Sequence, residues 1–251
     1  MSSTVPTKLG LSSPPEPRRL LAFGAHPDDL EFGAGAVLAR EARAGTQITF
    51  VICSRGEAAT HGRPEEREIE ARNAARILGA DVEFLELGGD AHLVSTPEVA
   101  IKLAGVIRRF RPEWVLAPTV SPNQHPDHAA LGRGVRDAAR LARYGGLAEL
   151  RGQPPHTLSL LLHYAVGPEG EPAGEPGVWC DVSDPGVMAA WKAAMAAHAS
   201  QTSTREYVEL LLTRARLLGL RAGVGYAQAL YPADPLLVDG LAQLGRGARR
   251  F

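Results

Sequence analysis

Leu20-Leu21-Ala22-Phe23-Gly24-Ala25-His26-Pro27-Asp28-Asp29 is the stretch from which the fold of this chain can be read. Leu20 to Phe23 is a short continuous apolar run of the kind that forms a buried strand, and it ends on an imidazole and two carboxylates within four positions. Pro27 fixes its own φ and biases His26 away from the helical region, so the polar side chains are presented by a stiff turn. A stiff turn bearing His and Asp suits a metal site.

Outward from this stretch the chain alternates between strand and helix patterns. Phe32 to Arg43 carries a helical apolar face and stops at Gly45, and Gln47 to Cys53 is a second strand. Glu65 to Leu78 is a helix stopped by Gly79, followed by a short strand at Val82 to Leu85. Pro97 to Phe110 is the next helix, Trp114 to Ala117 the fourth strand, Ala129 to Tyr144 a further helix and Leu158 to Leu162 a further strand. Gly167 to Gly177, dense in Pro, Gly and Glu, is a surface loop, and Met188 to His198 and Arg205 to Leu220 are the last helices. Strands that read as short continuous apolar runs between helices predict an α/β protein: a Rossmann-like three-layer fold with a mostly parallel sheet.

The 251 residues are 45% hydrophobic, enough for one domain over residues 18–251, behind a Ser- and Pro-rich leader at residues 1–17 expected to be poorly ordered. The Arg-rich tail from 246 to 250 is expected to be a solvated terminus. Lys and Arg number 27 against 28 Asp and Glu, a formal charge of -1, so no global field would draw nucleic acid or a membrane surface. A small-molecule partner is expected; a homo-oligomer stays open. Two cysteines, Cys53 and Cys180, make no disulfide framework, and the absence of a long apolar segment or signal core predicts a cytoplasmic protein.

In an open parallel sheet, ligands bind beyond the carboxyl ends of the strands. The polar clusters fall there: His26 to Asp29 after the first strand, Ser54-Arg55-Gly56-Glu57 after the second, Gly88-Gly89-Asp90 after the third, and Ser121 to His128 after the fourth. The fourth contains His125-Pro126-Asp127-His128, a second His-Pro-Asp unit. Two His and one Asp from these units would match a catalytic zinc site, which uses three protein ligands and leaves a position open; composition alone does not say which. The Gly33-Ala34-Gly35 run does not make a dinucleotide loop, because the third glycine position is Leu38 and Asp28, Asp29 and Glu31 would repel a pyrophosphate.

With His-Pro-Asp-Asp after the first strand and His-Pro-Asp-His after the fourth, the chain resembles the LmbE-like, or PIG-L, family of zinc-dependent N-acetylglucosamine deacetylases. Ser-Arg-Gly-Glu at Ser54, Arg67-x-x-Glu70 and His198-Ala-Ser-Gln201 extend the likeness, the last being similar to the bacillithiol-pathway branch that acts on N-acetylglucosaminyl malate. The resemblance implies that His26, Asp29 and His128 hold Zn2+, with Fe2+ as the alternative ion. It implies Asp28 as general base toward the attacking water, and His125, kept protonated by Asp127, as stabiliser of the oxyanion. It further suggests that Arg67 and Asp90 hold sugar hydroxyls of an acetamido-sugar conjugate, with Arg55 on the same rim.

Two positions depart from the family pattern. Asn123 stands where some relatives carry an aromatic hydroxyl, and Gln228 where many carry Glu. The expected activity is removal of an N-acetyl group from an N-acetylglucosamine conjugate. The alternative is a sugar-binding or regulatory protein that retains the metal site without turnover. A phosphoester hydrolase is disfavoured by the lack of a second carboxylate-rich site and of a phosphate-binding Gly loop.

Overall fold

The computed structural model describes residues 18–174, 177–203, 206–240 and 247. The expected leader at 1–17, the tail residues 246 and 248–250, and Arg205 lie outside the described residues. The first strand, β1 (Arg19–Gly24), is followed by α1 (Asp29–Arg43), β2 (Gln47–Ile52), α2 (Pro64–Leu78), β3 (Ala80–Phe84), α3 (Pro97–Phe110), β4 (Trp114–Pro118) and α4 (Pro126–Leu141). Then come β5 (Leu160–Tyr164), β6 (Val178–Asp181), α5 (Pro185–Ala196), the single turn α6 (Ala199–Thr202), α7 (Tyr207–Ala222) and β7 (Ala227–Pro232).

The sheet order is β3-β2-β1-β4-β5-β7-β6. Strands β1 to β5 pair in parallel, while β7 runs antiparallel to both β5 and β6. This is the expected Rossmann-like, mostly parallel sheet, with an antiparallel edge that the sequence reading lacked. The order reverses between β1 and β4, so the loops after these two strands flank the switch-point crevice where such sheets bind ligands.

Alternation along β1 shows why both faces are covered. Leu20 and Ala22 pack with α1, α5 and α7 in one core, while Leu21 and Phe23 pack with α3 and α4 in the other. Each fully buried large side chain in these layers contributes about 1.5–3 kcal/mol. Helix α1 crosses the sheet unusually closely. A Cβ on Gly33 would stand 2.2 Å from Tyr164 Cδ2, and one on Gly35 would stand 2.6 Å from Trp191 Cδ1. The two glycines therefore serve close packing under the site, with Tyr164 Oη donating to Phe23 O at 2.7 Å and Trp191 Nε1 to Glu31 O at 2.7 Å.

Three helices begin three residues earlier than the periodicity predicts: α1 starts at Asp29, α4 at Pro126 and α5 at Pro185, not at Phe32, Ala129 and Met188. The motif carboxylates Asp29 and Asp127 thus sit in first helical turns, where the positive end of the helix dipole favours them. Pro126 at the first helical position has no N–H to leave unpaired, which suits it to that start. Gln228 Oε1 accepts from Val37 N at 3.0 Å and pins β7 to α1, so this buried amide has a structural task within the fold.

Candidate active site

His26 leaves β1 at the switch point, and His128 comes up from the first turn of α4. His26 Nδ1 and His128 Nε2 lie 3.2 Å apart, and Asp29 Oδ1 is 2.9 Å from the same His128 nitrogen. Asp29 Oδ2 lies 3.7 Å from His26 Nδ1 and accepts the backbone N–H groups of Ala25 and His26 at 2.8 and 2.9 Å, which locks the carboxylate in place. Two donors each ~2.1 Å from an ion at a tetrahedral angle stand ~3.4 Å apart. The spacings of this two-His, one-carboxylate set scatter around that value, so the residues fit a zinc-like ion, and all three line one cavity of about 470 Å³.

The opposite nitrogen of His26 faces two carboxylates. Nε2 is 3.0 Å from Asp90 Oδ1 and 3.1 Å from Asp127 Oδ2. Carboxylates there only accept, so Nε2 carries a proton, and Nδ1 is the nitrogen that faces His128 and Asp29. Two further sets, His26 with Asp90 and Asp127 and His26 with His125 and His128, also lie close enough together to hold an ion. Asp90 Oδ2 accepts Ala58 N–H at 3.2 Å, and Asp127 Oδ2 accepts Ala91 N–H at 2.8 Å. Asp90 and Asp127 thus orient His26 from its Nε2 side, while Asp29 and His128 lie on its Nδ1 side.

The electrostatics follow this packing. Burial works to raise Asp29, but the charges of His128 and His26 outweigh it and hold the carboxyl well below its usual range. Burial works to lower His26, and Asp29 with the hydrogen bonds to Asp127, Asp29 and Asp90 reverses that, leaving it well above the usual imidazole range.

Asp28 is the strained member of the group. It sits in the left-handed region at φ 106, beside the start of α1, where a non-glycine residue costs on the order of 1–3 kcal/mol. Arg67, buried on α2, holds it there: Nη2 donates to Pro27 O at 2.8 Å and to Asp28 Oδ2 at 3.2 Å, and Nη1 donates to Gly56 O at 3.1 Å. Burial pushes the Asp28 carboxyl up from 3.8 to about 6, with Arg67 and His198 pulling it down and Asp29 adding to the rise. A carboxylate tuned toward neutrality suits a proton acceptor that must also give the proton back.

His125 caps α4, and its Nδ1 accepts Asp127 N–H at 3.3 Å. That acceptor role leaves Nε2–H as the ring's donor. Burial, then the neighbouring His26 and His128, lower the His125 pKa. The Asp127 carboxylate is bonded to His26 and Ala91, and its charge works to raise His125 against the larger opposing effect of burial, His26 and His128.

Arg67 and Asp90 line the cavity, where Arg67 also bonds to Asp28, Pro27 and Gly56 and Asp90 to His26 and Ala58. Arg55 is not brought to the cavity. Half-exposed, it pairs with Glu86 at 3.2 Å and Glu68 at 3.7 Å on the surface. Asn123 is exposed and does not line the cavity either.

Sequence reading missed the outer wall, where Phe32, Gln124, Glu169, Gln201 and Tyr207 come from five separate segments. It also missed the pair beneath Asp28, Glu31 and His198, both fully buried with Oε1 to Nε2 at 3.4 Å. Burial works to lower His198, and Glu31 raises it above its usual value.

Residues 21–139 match the family model described as PIG-L: GlcNAc-PI de-N-acetylase. The uncharacterized deacetylase YaiS of Escherichia coli is 48% identical over 136 residues, covering 52% of this chain and 72% of YaiS. A 1D-myo-inositol 2-acetamido-2-deoxy-alpha-D-glucopyranoside deacetylase of Catenulispora acidiphila is 31% identical over 169 residues, covering 53% of this chain and 55% of that protein, so the match spans about half its length. The crystal structure of the conserved protein TT1542 from Thermus thermophilus superposes with a TM-score of 0.74 at 34% identity, over 87% of this chain and 96% of that one. No helix among the described residues is long and apolar enough to cross a membrane. A likeness that pairs identities above 30% with near-complete coverage of a solved relative, and that includes both His-Pro-Asp units, settles the classification: the chain belongs to the PIG-L family.

Proposed function

We propose that this chain is a metal-dependent hydrolase that removes the acetyl group from an N-acetylglucosamine conjugate, with Zn2+ held by His26, Asp29 and His128 and Fe2+ as the alternative ion. The observation that carries this reading is the convergence of His26 Nδ1, His128 Nε2 and Asp29 Oδ1 beside Asp28 and His125 in one cavity. A divalent ion there supplies Lewis acidity and brings the pKa of water toward ~7. Asp28 takes a proton from the attacking water onto its carboxylate, and Arg67 keeps that carboxylate aimed despite its strained backbone. His125 donates Nε2–H to the acetamide oxygen as negative charge develops on it. When the carbon–nitrogen bond breaks, Asp28 returns its proton to the departing nitrogen, and acetate and a free amine are the products. Asp90 and Asp127 keep the His26 ring in the tautomer that this arrangement needs.

The test is release of free amine by purified protein supplied with Zn2+ or Fe2+, using N-acetylglucosaminyl malate, N-acetylglucosaminyl inositol and N,N'-diacetylchitobiose. Turnover is expected with at least one conjugate, and Asp28→Ala should abolish it while metal content is retained. A protein that binds no divalent ion and releases no amine from any of them would refute the reading. Stabilisation by a conjugate without acetate release would mark a sugar-binding protein instead.

A further inference from the structure

The inner half of the cavity is occupied by the reacting groups, but the outer half is built from residues without a role in the chemistry. Its walls are Phe32 on α1, Gln124 before α4, Glu169 in the loop after β5, Gln201 on α6 and Tyr207 at the start of α7. Phe32 and Tyr207 are stacked, with ring centroids 5.7 Å apart and planes 15° off parallel. Such an aromatic wall suits the C–H face of a second ring. Facing the same space, exposed Glu169 has no protein partner for its carboxylate among the described residues, and it folds back so that a Cβ on Gly167 would stand 2.7 Å from its Oε2.

The carboxylates lining this cavity outnumber its guanidinium groups. Among the described lining residues the carboxylates are Asp28, Asp29, Asp90 and Glu169, and Arg67 is the one guanidinium. Even with a divalent ion in place, positive charge falls one short of negative. Arg67 is turned inward, with Nη2 bonded to Pro27 and Asp28, Nη1 bonded to Gly56, and its Nε buried. Gln124 cannot substitute, because its amide Nε2 donates to Thr119 O at 2.6 Å and to Ser121 O at 2.9 Å. A carboxylated aglycone would meet Glu169 with no cation to offset the repulsion, whereas a polyol would donate hydroxyl hydrogens to it.

Resting on the deacetylase reading above, we propose that the outer cavity selects a neutral polyhydroxylated aglycone, such as a cyclitol or a second sugar, and rejects a dicarboxylate, with Glu169 as the residue that sets the preference. Under this proposal the malate conjugate suggested by the His198 to Gln201 segment is the poorer substrate.

The test compares kcat/KM of the wild type, Glu169→Gln and Glu169→Arg on N-acetylglucosaminyl inositol, N,N'-diacetylchitobiose and N-acetylglucosaminyl malate. The wild type should favour a neutral conjugate over malate by about tenfold, the scale expected of one unscreened like-charge contact. Glu169→Gln should narrow that ratio, and Glu169→Arg should shrink it at least about fivefold, chiefly through KM for malate. Calorimetric Kd values for the corresponding amine products should fall in the same order without turnover. A wild-type preference for malate, or a ratio that Glu169→Arg leaves unmoved, would overturn this inference alone. Amine release from none of the three would overturn the deacetylase reading and this inference with it.

Discussion

Replacing Asp28 by Asn separates the proton-accepting role of this residue from its place in the fold. Asn matches the side chain in size, is among the few non-glycine residues that tolerate a left-handed backbone, and still offers Arg67 an oxygen acceptor. Only the ionisable group is lost. Activity should therefore fall by about 100- to 10,000-fold, the usual contribution of a general base. Stability should move the other way. In the folded protein burial raises the Asp28 pKa from 3.8 to about 6, so between those values the native state binds a proton that the unfolded chain has already lost. Asp28 is accordingly least costly below about pH 4, and its own contribution to stability falls as the pH rises toward about 6, by roughly 3 kcal/mol in all at ~1.4 kcal/mol per unit. The Asn variant has no such proton to lose. Relative to wild type it should gain ~1–2 kcal/mol between about pH 4 and 7.5, once the weaker bond from Arg67 to a neutral oxygen is allowed for. Urea unfolding of chelator-treated proteins at the two pH values measures the difference, with deacetylation assayed alongside. A stability difference that does not change with pH, or a variant that keeps more than about a tenth of wild-type turnover, would refute the reasoning.

Three further substitutions probe separate parts of the account. His125→Ala should lower kcat by about 100- to 1,000-fold with metal content unchanged, measured by elemental analysis beside steady-state kinetics; loss of the metal would instead make His125 a ligand. His198→Ala strands the Glu31 carboxylate in a fully buried position and should cost about 3–5 kcal/mol in urea unfolding at neutral pH, whereas a cost under about 1 kcal/mol would show that the pair is dispensable. Gly33→Ala pushes a methyl group into the ring of Tyr164 and should destabilise by about 1–3 kcal/mol; a neutral result would mean that α1 can lift from the sheet at little cost.

The parallel half of the sheet was readable because β1 to β4 are short apolar runs, each followed by its polar cluster, and such local patterns survive folding. The adjacency of the two His-Pro-Asp units followed from the rule that strand ends converge on one rim, and the order reversal between β1 and β4 supplies its cause. The antiparallel edge was not legible: β7 inserts between β5 and β6, a long-range pairing with no local signature in Ala227–Pro232. Helix starts at Asp29 and Pro126 were hidden because His-Pro-Asp reads as a turn until the backbone beyond it is known to be helical. Side-chain direction was the other blind spot. Asp90, Asp127 and Arg67 stand where the sequence put them, yet spacing could not tell that their polar atoms turn inward to His26 and Asp28. The outer wall joins Phe32, Gln124, Glu169, Gln201 and Tyr207 from across the chain, and nothing local marks them as neighbours.

Amide hydrolysis by this chain should depend on a divalent ion held by His26, Asp29 and His128. Free amine released from N-acetylglucosamine conjugates by wild-type protein, assayed after chelation and again after one equivalent of Zn2+ is restored, tests it most directly. The account predicts loss of turnover on chelation and recovery with the ion, with no recovery in His128→Ala. Undiminished turnover by the chelated, metal-free protein would contradict it.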